Sequence, residues 1–229
     1  MEDPLDNPVW HALTGPHAAV ALGAGAARHY PREAAPFSAI SVATPAAYAD
    51  LAHELPPGLE ARLFRRAKEA PPPGWAVLSA RPIRQMVADS ASLAAPHPAE
   101  EHLVALGLND AADMLALAEV AKPGPFGPRT GELGRFVGWR ASDGRLLAIA
   151  GERFRTPDHV ELSAICVHPD IRGRGLGAAL TLRLARDALA RGEAPFLHVF
   201  PDNPAVGLYA RLGFRERATL SILWHRRAS

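Results

Sequence analysis

The run Arg172-Gly173-Arg174-Gly175-Leu176-Gly177-Ala178 carries the most specific chemistry in the chain. Its glycines let successive backbone N–H groups turn toward one point, and a helix beginning at Leu176 adds its positive end, so the loop suits a phosphate. Two patterns share these residues. Gly173-x-Gly175-x-x-Ala178 satisfies a dinucleotide-binding pattern, as in a nicotinamide-dependent oxidoreductase, while Arg172-x-x-Gly175-x-Gly177 satisfies another phosphate-loop pattern. Context separates them: a dinucleotide fold runs its strand directly into the glycines of a parallel domain, whereas here the spacer His168-Pro169-Asp170-Ile171-Arg172 intervenes. Arg172 and Arg174 add charge that suits a coenzyme with a pyrophosphate and a further ribose phosphate.

Other constellations lead nowhere. Nothing in the sequence pairs Glu152 with Glu161 as a glycosidase dyad, and no His-x-x-x-His, Cys-x-x-Cys or Gly-x-Ser-x-Gly spacing occurs. The single cysteine, Cys166, excludes an intrachain disulfide and has no adjacent base, so a packing role is expected for its side chain. Arg62, Arg65 and Arg66 read as a basic, solvated helix face. His159 and His168 read as loop or turn residues.

The elements that must position the loop follow from period and punctuation. In the first half, Phe37 to Val42 and Trp75 to Ala80 read as strands, and Pro45 to Leu55 as a helix capped by Thr44. The loop Ala94-Ala95-Pro96-His97-Pro98 marks a boundary between a small α/β unit, residues 1–98, and a second domain, residues 99–229. After it come a strand at His102 to Leu106 and a helix from Asp110 to Ala121 that Asn109 caps. Next is a hairpin, Arg135 to Trp139 and Arg145 to Arg153, turned at Asp143-Gly144. Val160 to Val167 completes an antiparallel meander. Leu176, Leu180, Leu184 and Ala188 then recur every fourth residue, a helix that runs to Arg191 and stops at Gly192. A buried strand at Pro195 to Phe200, a helix at Pro204 to Leu212 and a strand at Leu220 to Trp224 follow. The order β-α-β-β-β-α-β-α-β gives an α/β (α+β) fold with a mixed, mostly antiparallel central sheet flanked by helices.

Bulk properties bound the partners. With 25 basic against 24 acidic residues there is no general attraction to nucleic acid, and no stretch approaches the roughly 20 apolar residues of a membrane span. The acidic start Met1-Glu2-Asp3-Pro4 is not a secretory leader, so a cytoplasmic location is expected. Twenty-three of the 25 basic residues are arginine, which fits a GC-rich, bacterial coding bias; a homodimer stays compatible with the sequence.

The run from Glu161 to Gly177, followed by Asn203-Pro204-Ala205 and Leu208-Tyr209-Ala210-Arg211-Leu212-Gly213-Phe214, resembles the GCN5-related N-acetyltransferase (GNAT) superfamily over about residues 100 to 226. Within it the chain is most similar to the FR47-like branch, which includes glycine N-acyltransferase relatives. The resemblance implies acetyl-coenzyme A as co-substrate and direct attack by the amine of a small-molecule or amino-acid-like acceptor in a ternary complex, with no acyl-enzyme and no metal. A non-catalytic acyl-coenzyme A module is the alternative. It further implies that Ile165, Cys166 and Val167 offer backbone groups to the pantetheine arm. Arg172, Gly173, Arg174, Gly175, Leu176, Gly177 and Ala178 would hold the pyrophosphate, and Asn203 would contact the pantetheine or phosphates. Tyr209 faces the sulfur as acid. An alkylamine with a pKa of about 10 must lose a proton before attack, and Glu161 is the first candidate base, ahead of Glu152, Glu132 and His159.

Overall fold

The structure, a computed structural model, describes residues 3–66 and 69–228; Met1 and Glu2 of the acidic start lie outside them. The N-terminal segment contributes a short helix α1 (Pro8–Leu13), a two-stranded antiparallel ribbon of β1 (Ala27–His29) and β2 (Ser38–Ile40), and α2 (Pro45–Glu54). Thr44 caps α2 as expected: its hydroxyl accepts from the Ala47 N–H at 3.2 Å while Pro45 occupies the first turn.

The remaining strands form one eight-stranded sheet in the order β3-β10-β4-β9-β8-β7-β6-β5. They are β3 (Glu60–Arg65), β4 (Trp75–Val87), β5 (Val104–Leu106), β6 (Phe136–Arg140), β7 (Leu146–Arg155), β8 (His159–Val167), β9 (Ala194–Val199) and β10 (Arg215–Arg227). Every neighbouring pair is antiparallel except β8 and β9. The expected meander is β6-β7-β8, turned at Asp143-Gly144, where Gly144 takes a φ of 86° that suits a residue without Cβ. Helices α3 (Ala111–Ala121), α4 (Leu176–Ala190) and α5 (Ala205–Arg211) complete the fold.

Both faces of the sheet are covered. On one, Leu176, Leu180, Leu184 and the other apolar residues of α4 pack on Ala148, Leu162 and Leu197 of the central strands. On the other, Leu5, Val9, Tyr30 and Phe37 from the N-terminal segment pack on Phe154, Phe196 and Leu220. A sheet buried on both sides tolerates strands without strict alternation, which is why β7 is buried at its first seven residues.

Four readings are corrected. Arg62, Arg65 and Arg66 are not on a helix: Arg62 and Arg65 lie on β3 and Arg66 just past its end, in a strand that pairs with β10. Arg65 is buried, ion-paired with Glu69 at 2.9 Å and donating to the Ile40 carbonyl. Asn109 does not cap α3. It sits inside a 3-10 turn, Leu108–Asp110, and Asp110 occupies the cap position but turns its carboxylate back to the Gly107 N–H. The last strand is far longer than Leu220 to Trp224, because β3 and β4 pair with it on its two sides. Finally, the sheet continues across the expected boundary at residue 98: β3 and β4 precede it in sequence, yet they flank β10, which follows it.

Candidate active site

β8 and β9 pair only where His159–Glu161 meet Ala194–Phe196. Beyond that point β8 stays with β7, through Cys166 to Ile149 and Val167 to Ala148, while β9 turns its other edge to β4. The facing edges therefore diverge. Ala164 helps to bend β8 away: it takes a φ of 54°, uncommon for a residue with Cβ, where the register with β7 shifts between Ser163 and Cys166. Unpaired backbone groups facing a gap need partners, and a ligand can supply them.

The gap opens into a cavity of about 720 Å³. Ile165, Cys166 and Val167 line it, as do every residue from Arg172 to Ala178, Asn203 and Tyr209. All the positions assigned by resemblance to the donor thus line one cavity. Gly173 and Gly175 hold φ values of 80° and 77°, in the left-handed region that L side chains avoid. α4 begins with Gly175 as its cap and no side-chain bond there; the first intrahelical donor is the Ala179 N–H, to the Gly175 carbonyl. The amides before it project from the helix start without intrahelical acceptors, the arrangement that binds a pyrophosphate. A Cβ on Gly173 would meet nothing within 4 Å, so that approach is open. His168 accepts from the Asp170 N–H at 3.3 Å and Arg172 donates to the Val167 carbonyl at 3.1 Å, so both hold the turn between strand and loop.

Tyr209 is carried on α5, whose start is bridged by the Asn203 side chain accepting from the Ala205 N–H at 2.9 Å. The ring is buried edge-on against Phe214, and no protein group among the described residues bonds its hydroxyl. Burial pushes its pKa up to about 12. Burial likewise pushes the Cys166 thiol to about 12, with Arg172 opposing weakly, which keeps it an unreactive thiol.

Glu161 does not line the cavity. Its buried carboxylate takes both Nε and Nη2 of Arg153 at 2.7 Å and Nδ1 of His198 at 2.7 Å. Burial alone would raise its pKa, but the Arg153 charge and these hydrogen bonds pull it down to about 2. A base for an amine works best with a pKa near the operating pH, so this environment is that of an anchored ion pair and does not suit the expected role. The other candidates lie elsewhere. Glu152 is buried between Arg155 and Arg191, Glu132 is paired with Arg129, and His159 borders a separate, smaller pocket.

Two lining residues were missed by sequence reasoning, and a third, Arg62, was read as solvated surface. Arg153 and His198 bracket Glu161, and Arg62 lies over the Trp224 ring at 4.4 Å; all three line the cavity. His198 carried a signal, a polar residue inside the apolar run Phe196-Leu197-His198-Val199-Phe200. The Gln85 amide fixes its ring: the Gln85 oxygen accepts from Arg217 at 2.8 Å, so its nitrogen donates to the Leu5 carbonyl and faces His198 Nε2 at 3.1 Å. Nδ1–H of His198 then points at Glu161. The ionisable side chains on the lining include Arg62, Lys122, Arg153, Arg172 and Arg174, and no aspartate or glutamate is among the described lining residues.

Residues 132–224 match the family model of the FR47-like protein. A GNAT-family protein from Novosphingobium aromaticivorans DSM 12444 is 38% identical, covers 100% of both chains and superposes with a TM-score of 0.89. A GCN5-related N-acetyltransferase from Kribbella flavida shares the fold at 20% identity, with 96% of this chain and 95% of that one covered and a TM-score of 0.62. Another from Sphaerobacter thermophilus does so at 17% identity, with 89% and 78% covered and a TM-score of 0.51.

Proposed function

We propose that this chain, which belongs to the GNAT family of acetyltransferases and matches the FR47-like model over residues 132–224, transfers an acetyl group from acetyl-coenzyme A directly to the amine of a small, amino-acid-like acceptor. One observation carries the reading: the diverging edges of β8 and β9, the amides at the start of α4 and the Tyr209 side chain all face one cavity. That wall fits a phosphorylated, amide-containing thioester, because it offers unpaired backbone groups along a strand and a cluster of N–H donors with two arginines at its end.

In this reading the N–C bond forms as the C–S bond breaks, and the thiolate accepts a hydrogen bond from Tyr209. Full proton transfer from a phenol near 12 to a thiolate with an ordinary value of about 8.5 is uphill by roughly 5 kcal/mol, so Tyr209 acts as a donor and the thiol's proton comes from solvent. Glu161 is assigned to holding Arg153 and His198 in place. With no carboxylate among the described lining residues, deprotonation of the amine rests on solvent. The attacking amine is the neutral form drawn from its equilibrium with the ammonium ion, and the proton leaves to water.

The test is thiol release from acetyl-coenzyme A over an amine panel, alongside thermal shift with coenzyme A and with NADH. Stabilisation by coenzyme A together with amine-dependent thiol release is expected. Stabilisation by NADH alone would restore the oxidoreductase reading, and binding without turnover of any amine would leave an acyl-coenzyme A module.

A further inference from the structure

Besides the positions assigned to the donor, the cavity is lined by a second set of groups, from the N-terminal segment, β3, β7 and β10. Arg62 and Phe64 stand two residues apart on β3, hence on the same face of that strand, and both line the cavity. Arg153 reaches the same place from β7, its guanidinium 5.9 Å from the Phe64 ring and 4.8 Å from the Phe37 ring. Trp224, the register partner of Arg62 on β10, lies beneath the Arg62 guanidinium.

The two guanidiniums are held but not exhausted. Glu161 uses Nε and Nη2 of Arg153, and no protein group among the described residues bonds its Nη1. Arg62 gives one nitrogen to Glu60 at 3.3 Å, a carboxylate that Arg226 shares at 3.2 Å. Stacking on aromatic rings fixes both planes, so that the remaining N–H groups are set for an incoming partner. No carboxylate on the described lining competes for them.

We propose that this end of the cavity is the acceptor site, and that it takes an amine carrying an anionic group, in the simplest case a carboxylate, on an apolar body: Arg62 and Arg153 clasp the anion while Phe37, Phe64 and Trp224 cover the body. The inference rests on the acetyl-transfer reading, because it is that reading that makes the other wall the donor's. This pair of N–H donors, Arg62 and Arg153, gives a plain alkylammonium, itself only a donor, no partner. It attracts an acceptor whose own anion meets the arginines and leaves its amine toward the sulfur side.

The experiment is calorimetric titration of the coenzyme A-loaded protein, and of the protein alone, with 3-phenylpropanoate and with its neutral amide. In the loaded protein the carboxylate is expected to bind at least about tenfold more tightly than the amide, the scale of one charge-assisted hydrogen bond. Arg62→Gln should remove most of that preference with the amide's affinity little changed. A paired Arg153→Gln/Glu161→Gln variant, which leaves no lone buried charge, should remove it as well. Equal binding of the two probes, binding of neither, or loss of both in Arg62→Gln overturns the acceptor site. If coenzyme A fails to bind the wild type, it is the donor reading that falls, and the probe preference in the protein alone then decides whether the anion site stands without it.

Discussion

At the scale of single residues, burial separates the groups that can act from those that hold others. Tyr209 is buried, lines the cavity, and has a hydroxyl that no protein group among the described residues bonds, which leaves its hydrogen bond free for a ligand. Tyr209→Phe should lower kcat by about 100-fold, the range of a lost transition-state hydrogen-bond donor, while the Kd of coenzyme A stays nearly constant. Steady-state kinetics with calorimetry checks it, and an unchanged kcat removes Tyr209 from the reaction. Cys166 makes the opposite case. A thiol raised to about 12 holds almost no thiolate at neutral pH, so native protein should resist iodoacetamide at pH 7.5 and react once unfolded. Mass spectrometry of the two samples decides, and rapid alkylation of the folded protein would show that the pocket activates this thiol.

At the scale of elements, the glycine loop shows what local sequence can and cannot reveal. Its conformation was legible because Gly173 and Gly175 take left-handed φ values that favour glycine, and the period of α4 identified the helix behind them. The role of Glu161 was not, since it depends on which side chains β7 and β9 bring beside it: Arg153 is eight positions away and His198 thirty-seven. The same holds for β3, read as a helix face until β10 pairs with it, and for Asn109, displaced from its cap by a 3-10 turn. Long-range register is not written in a local pattern. Gly175 tests the element directly. A Cβ there would stand 2.6 Å from His97 Nε2, in a ring whose Nδ1 is held by the Ala99 N–H, and at a φ that costs an L residue roughly 1 to 2 kcal/mol. Gly175→Ala should weaken coenzyme A about tenfold. His97→Ala in the same background should recover part of the loss, whereas no recovery would assign all of it to backbone strain.

At the scale of the whole molecule, one sheet draws strands from both halves of the chain. A fragment of residues 99–229 would leave β10 without either of its partners and expose Leu220, Ile222 and Leu223. That fragment should be insoluble or lack a cooperative melt, and a sharp transition by circular dichroism would restore the two-domain division. The buried polar chain from Asp6 through Arg217, Gln85, His198 and Glu161 to Arg153 spans the same halves, and it makes stability depend on pH. The Glu161 carboxyl has a reference value of 4.5 and is held near 2 in the fold. The unfolded chain therefore takes up the proton first. The stabilisation, roughly 3 kcal/mol for a shift of this size, is complete above about 4.5 and is lost as pH falls toward 2. Glu161→Gln removes that slope but leaves Arg153, partly exposed at the cavity, without its counter-charge, a loss at neutral pH below the roughly 3 to 5 kcal/mol of a fully buried pair. Urea unfolding midpoints should thus fall steeply from about pH 4.5 toward pH 2 in the wild type. They should start lower and fall less in the variant, and parallel slopes would mean that Glu161 is not the carboxylate that couples this fold to acid.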